Sequence, residues 1–256
     1  MTTQQPTEVQ FYIGLHHICD ASHFERCMLS VNALSRRKSD FEAGQWVMDS
    51  GAFTEVSRHG THRRSVEEYA AQIRRWSRCG DLLAAVSQDW MCEPFIIDRT
   101  GLSVAEHQAR TVDRYDRLVS ADTGETYIMP VLQGYEPEEY VRNVRQYGER
   151  LTEGAWVGVG SVCKRNSSVK AVEAILSEIH AVRPDLRLHG FGLKKTALRS
   201  HLVRKCLHSS DSMAWSYRAR RQEGRDANDW REARQYLREI ESMPLQTSLF
   251  AKMADQ

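Results

Sequence analysis

Along this chain, short apolar runs rich in β-branched and aromatic residues alternate with longer segments of helical period. The runs are 9–15 (VQFYIGL), 27–31 (CMLSV), 45–49 (QWVMD), 82–89 (LLAAVSQD), 127–134 (YIMPVLQG), 156–162 (WVGVGSV), 186–193 (LRLHGFGL) and 205–215 (KCLHSSDSMAW). Helical stretches fall at 65–78, 104–120, 136–151 and 169–182, and the gaps after the first two runs are short enough to predict only a turn or an irregular helix. Eight strands alternating with helices in 256 residues predict an α/β fold, a (β/α)8 TIM-type barrel. A doubly wound open sheet uses the same alternation; strand count and chain length decide for the barrel. No repeat or composition break divides the chain. One domain is therefore expected over 9–243, after a disordered 1–8, with a final helix at 228–243 and a tail at 244–256.

In such a barrel the site is built at the C-terminal ends of the strands. Those ends carry Asn32, Asp49, Asp89, Gln133, the GVGS of 158–161, the HGFG of 189–192 and Asp211. Any one Asp after a strand is readily explained as a helix cap or loop organiser. Three carboxylates and a carboxamide on one face ask for more. A pair of carboxylates suits chemistry at a sugar carbon, one as nucleophile and the other moving a proton. A third carboxylate with a Gln can read the hydrogen-bonding edge of a heterocyclic base, and Phe53 can stack on it.

Composition changes this picture little. The chain is 41% hydrophobic and 27% charged with a net charge of +1, so it is not a basic nucleic-acid binder as a whole. No apolar run is long enough for a membrane span and the N-terminus shows no signal-peptide pattern, so no membrane partner is expected. Six cysteines without CxxC pairing read as reduced thiols in a cytoplasm. His16, His17, Cys19, His23 and Cys27 are metal-ligating types without a closed four-ligand spacing, so no metal is assigned.

The motifs DSGAF (49–53), QDWMCEP (88–94), PVLQGY (130–135), GVGSVCKR (158–165), HGFGLKK (189–195) and DSMAWSYRAR (211–220) resemble, in order, the strand-end motifs of tRNA-guanine transglycosylases. They are closer still to the DpdA-like group, which places 7-deazaguanines into DNA, and the resemblance covers roughly residues 10 to 221. It implies Asp211 as the nucleophile at C1′ and Asp49 as the general acid/base. It implies Asp89 and Gln133 as readers of the base, with Ser50 and the backbone at Gly158 and Gly160 in further contact. Phe53 would stack on the base, with His189 or Phe191 on the opposite face. The CxCxxC-plus-His zinc site of the tRNA enzymes has no counterpart, which favours a different polymer. The implied reaction exchanges guanine in DNA for a free 7-deazaguanine such as preQ0 and uses no cofactor. A tRNA substrate, a base-excising glycosylase and a non-catalytic nucleic-acid-binding subunit are the alternatives.

Charge distribution fits a polyanion. Basic runs at Arg36, Arg37 and Lys38, at Arg63 and Arg64, at Lys164 and Arg165, at Lys194 and Lys195, and at Arg218 and Arg220 follow strand ends, while acidic residues concentrate in helices. These runs are expected on the catalytic face. In the tail, QTSLF resembles a QxxLF-type peptide that docks on the replication sliding clamp, through Gln246, Leu249 and Phe250.

Overall fold

The computed structural model describes residues 9–243 except 166 and 167; the expected 1–8 terminus and the tail peptide with Gln246, Leu249 and Phe250 lie outside the described residues. The strands are β1 (Gln10–Gly14), β2 (Arg26–Ser30), β3 (Gln45–Asp49), β4 (Asp81–Val86), β5 (Ile128–Met129), β6 (Val131–Leu132), β7 (Trp156–Val159), β8 (Arg187–Gly190) and β9 (Leu207–Ser212). All pairings are parallel, in the order β5-β4-β3-β2-β1-β9-β8-β7-β6.

The two ends of that order are consecutive pieces of one segment, 128–132, divided by Pro130. Proline has no N–H to give a ladder, yet the Pro130 carbonyl still accepts the Gly158 N–H at 2.8 Å. The nine pieces are thus the eight strands of a (β/α) barrel, closed through this split strand.

Alternation along the strands sorts residues to two cores. Tyr12, Met28, Val47, Ala84, Val86, Met129, Val131 and Trp156 fill the barrel interior. The opposite faces pack against the helices, which present apolar positions at helical spacing. The Val66–Trp76 helix buries Val66, Tyr69, Ala70, Ile73 and Trp76, and a Ser65/Glu68 capping box starts it. The final helix, Trp230–Glu241, lays Ala233, Tyr236 and Ile240 against the start of β1, with Tyr236 6.4 Å from Phe11.

The strands are shorter than the apolar runs. β4 stops at Val86, β8 at Gly190 and β9 at Ser212, because the residues beyond them leave the ladder to form loops. Short helices at Ala52–His59, Pro94–Thr100 and Ala214–Arg220 have too few turns to show a period in sequence. The first gap holds the expected irregular element, a 3-10 helix at Ile18–His23, and the second only the four-residue helix Val31–Leu34.

Gly158 faces the Phe191 ring so closely that an added Cβ would lie 2.4 Å from it. Gly158→Ala should therefore push Phe191 off its seat and cost about 1–3 kcal/mol, read as a lower denaturant midpoint at unchanged slope.

Candidate active site

Two residues beyond the interior positions, on the same strand parity, stand the site residues. Asp49 follows Val47, Gln133 follows Val131, Gly160 follows Gly158, and Asp211 follows Ser209, whose hydroxyl takes the Trp156 indole N–H at 2.7 Å inside the barrel. With Asp89, Glu93, Ser161, Phe53 and Phe191 they line one cavity of about 240 Å³ at the C-terminal mouth. Much of its remaining wall is apolar, including Met28, Val86, Met91 and Met213, and Ser30 also lines it.

Asp49 is half-buried and its Oδ2 accepts the Gly51 N–H at 3.1 Å. Gly51 has φ +71°, and a Cβ there would strike the Asn32 carboxamide at 2.3 Å, so the turn after β3 requires glycine. Arg64 in turn holds Asn32 Oδ1, with both Nη atoms at 3.2 Å. Burial pushes the Asp49 carboxyl above its ordinary range; the Ser30 hydrogen bond opposes this and the Asp211 charge adds to it.

Asp211 is fixed through one oxygen, Oδ1, which accepts the Gly192 N–H at 2.9 Å and lies 3.4 Å from His189 Nε2. The other ring nitrogen of His189 lies 2.9 Å from the Ser209 hydroxyl. His189 is fully buried and does not line the cavity, so of the two residues expected at that base face it is Phe191 that lies in the wall. His189 sits below, 4.8 Å from Phe191, and orients the Asp211 carboxylate instead. Phe191 supplies the wall that His189 does not. Phe53 lines the cavity from the other side and is 41% exposed.

Asp89 and Gln133 meet directly: the Gln133 side-chain amide donates to Asp89 Oδ2. A Cβ on Gly160 would overlap that amide at 2.1 Å, so the close approach depends on glycine there. The Ser161 hydroxyl lies 2.8 Å from Gln133 Oε1 and 2.9 Å from Glu93 Oε2, and accepts the Cys92 N–H at 2.9 Å. Ser161 adopts φ +56°, a left-handed conformation unusual for a side-chain-bearing residue. Glu93 is 2% exposed and lines the cavity. Neither Glu93 nor Ser161 was singled out among the expected site residues. Glu93 stands inside a motif already quoted, but nothing in sequence links it to a serine 68 positions away.

Ser50 and Gly158 are likewise absent from the wall. Ser50 is buried with its hydroxyl accepting the Ala52 N–H at 3.4 Å, and Gly158 is covered by Phe191. The basic runs divide. Arg36, Arg37 and Lys38 are not on the rim: the helix after β2 is so short that the chain is already returning to the start of β3. There Arg37 donates to the Asp40 carbonyl at 3.0 Å, and Arg75, from the last turn of Val66–Trp76, donates to the Lys38 carbonyl at 3.0 Å. Lys195 and Arg218 both pair with Glu239 of the final helix, and Arg63 with the buried Glu55. Arg165 is tied to Glu136 at 3.5 Å and lies 3.8 Å over the Tyr135 ring. Lys164 falls in the turn at Cys163–Arg165, after β7. Lys194 and Arg220 are exposed beyond β8 and β9.

Among the described residues no cluster of His, Cys, Asp and Glu could hold a metal. His16 is instead 2.7 Å from the Ser216 hydroxyl, and His23 stacks on Trp230 at 4.0 Å. No helix among the described residues is long and apolar enough to cross a membrane.

A closed parallel barrel whose acidic cavity opens at the strand C-termini defines the class: a barrel with an enzyme-like site for a small polar ligand. Over residues 9–235 the chain matches the family described as DpdA, DeoxyPurine in DNA protein A, and it belongs to that family. No curated protein matches the chain. Family membership gives it a DNA-modifying, transglycosylase-like role.

Burial pushes the Asp89 carboxyl up to about 7, its Gln133 hydrogen bond opposing and the charges of Asp49 and Glu93 adding to the rise. The folded protein thus holds this proton more tightly than the unfolded chain, whose value is near 3.8. The resulting stabilisation is complete below 3.8 and is lost as pH rises through about 7. Asp89→Asn, which stays neutral, should remove a loss on the order of a few kcal/mol between pH 5 and pH 8. Denaturant midpoints of both proteins across that range check it: parallel pH profiles would refute the assignment.

Proposed function

We propose that this protein exchanges guanine in DNA for a free 7-deazaguanine base through a covalent intermediate on Asp211. The observation that carries the reading is that Asp211 and Asp49 line one cavity, where burial and, less, the Asp211 charge raise the proton affinity of Asp49. In the first step Asp211 attacks C1′ and the C1′–N9 bond breaks. The bonding pair leaves on N9, which takes the proton held by Asp49. In the second step N9 of the incoming base loses its proton to Asp49 and attacks C1′, releasing the Asp211 carboxylate. Neither step consumes an oxidant or a nucleotide triphosphate, so no cofactor is invoked.

Asp89, Gln133 and Ser161 form the polar side of the cavity and suit the amide and amine edge of a guanine-like ring. A carboxyl poised near pH 7 can either accept from or donate to that edge. Phe53 and Phe191 offer ring faces for the base, and the methionines accommodate its apolar surface. The target nucleotide has to leave a duplex stack to enter so small a cavity. Of the basic residues expected on a phosphate backbone, Lys194 and Arg220 are exposed beyond strand C-termini and suit that role, whereas Arg63, Arg64 and Arg165 are engaged by Glu55, Asn32 and Glu136.

An exchange assay tests the reading. Guanine-labelled DNA and tRNA are incubated separately with the protein, with and without preQ0, and nucleosides are followed by mass spectrometry. Incorporation into DNA is expected, abolished in Asp211→Ala. In single-turnover guanine release, Asp49→Asn should lose about 10²–10⁴-fold, the usual share of a positioned proton donor. Incorporation only into tRNA would overturn the polymer, and guanine release without incorporation would make the protein a glycosylase.

A further inference from the structure

The helix that follows the proposed nucleophile has two unlike faces. Trp215, Ser216 and Ala219 are buried, and the Trp215 indole N–H donates to the Gly14 carbonyl at 2.8 Å, fastening the helix to the end of β1. Arg218 also turns inward, to Glu239 at 2.8 and 3.0 Å. On the other face, Met213 at the helix cap, Tyr217 one turn on and Arg221 at the end are exposed; Arg220 is exposed as well, its guanidinium donating to the Ser216 hydroxyl at 3.3 Å. Residues four apart stack on one side of a helix, about 5.4 Å per turn. The exposed stripe therefore starts at the cavity, which Met213 lines, and runs outward across the rim.

Tyr217 is 54% exposed, the highest value for a large apolar side chain among the described residues, and Met213 is 37% exposed. Two cations lie over the Tyr217 ring: Lys194 Nζ, from the loop after β8, is 5.7 Å from its centroid and Arg221 Cζ 5.3 Å. A more than half-exposed aromatic with cations close over it, next to an apolar thioether, combines ring surface on which a base can stack with positive charge beside it for phosphates. An apolar partner surface would not call for that many cations.

We propose that Met213 and Tyr217 form a stacking ledge for the nucleotide next to the target, in single-stranded or locally opened DNA. Lys194, Arg220 and Arg221 neutralise the phosphates on either side of that nucleotide. The ledge rests on the reading that the substrate is DNA, and it adds a consequence: the neighbour of the target base is itself unstacked from the duplex and held by the protein. Stacking of this kind tolerates any base, so the ledge fixes the strand without choosing the sequence at that position.

The test uses the full chain and single-stranded oligonucleotides carrying the fluorescent base 2-aminopurine on one or the other side of the target guanine. Wild type should quench the probe on one side. Tyr217→Ala should lose that quenching, while Tyr217→Phe and Tyr217→Trp, which keep a ring, should retain it. Loss of one stacked base corresponds to about a 5- to 150-fold weaker interaction. KM for DNA in the exchange reaction should rise by a factor in that range in Tyr217→Ala while KM for the free base stays. Replacing the flanking base by an abasic site should raise KM in wild type and leave Tyr217→Ala unaffected. Because Tyr217 is exposed, circular dichroism and thermal midpoints of the variants should match wild type; the ring-keeping variants separate loss of stacking from loss of fold. No quenching in wild type on either side, or equal quenching in Tyr217→Ala, overturns the ledge and assigns the stripe to another occupant, such as a protein. Quenching that follows the ring while no base exchange occurs would keep the ledge and overturn the exchange reaction instead.

Discussion

Crowding of carboxyl groups in one small cavity is the constraint on which this site depends. Asp49, Asp89, Glu93 and Asp211 all line a space of about 240 Å³. Two like charges 4 Å apart repel by about 4 kcal/mol at an effective dielectric constant near 20, so a full set of anions is costly. The site responds with raised proton affinities. Asp49 and Asp89 are both held above the ordinary carboxyl range, each through burial and each with a neighbouring acid adding to the effect. Raised proton affinity at Asp49, in one cavity with Asp211, suits the proposed transfer of a proton to a leaving base.

The fold sustains that arrangement by strand parity. Closing the barrel points every second residue inward, and the layer above the packed interior is the one that carries Asp49, Gln133, Gly160 and Asp211. Beneath it, Tyr12, Trp156 and His189 form an aromatic floor with ring centres about 6 Å apart. From there His189 reaches Asp211, and Gly192 completes its grip through a backbone N–H. Backbone donors and buried rings hold the acids in place more rigidly than long surface side chains would.

The eight-strand barrel was legible because each strand is an apolar run and each site acid ends or follows one. Asp49, Asp89, Gln133 and Asp211 all come to one cavity for that reason. Residues whose place depends on a distant partner were not legible. Ser161 reaches Glu93 across 68 positions, and Lys195 is neutralised by Glu239 across 44. His189 has the strand-end position of a ligand contact, yet its inward parity one layer lower buries it. Arg36, Arg37 and Lys38 follow a strand end in sequence, but a four-residue helix carries the chain off the rim before they occur. The short gap after the second run takes one basic run away from the mouth, and ion pairs to Glu239, which patterning does not encode, engage Lys195 and Arg218.

Mapping the covalent intermediate is the most direct measurement. The protein is incubated with guanine-containing DNA in the absence of free base, quenched in acid, digested with nuclease and protease, and its peptides are analysed by mass spectrometry. A deoxyribose-phosphate adduct on the peptide that carries Asp211, absent when Asp211 is Ala, is expected. An adduct on any other residue, or base exchange that proceeds in Asp211→Ala, would contradict the assignment of Asp211 as the nucleophile.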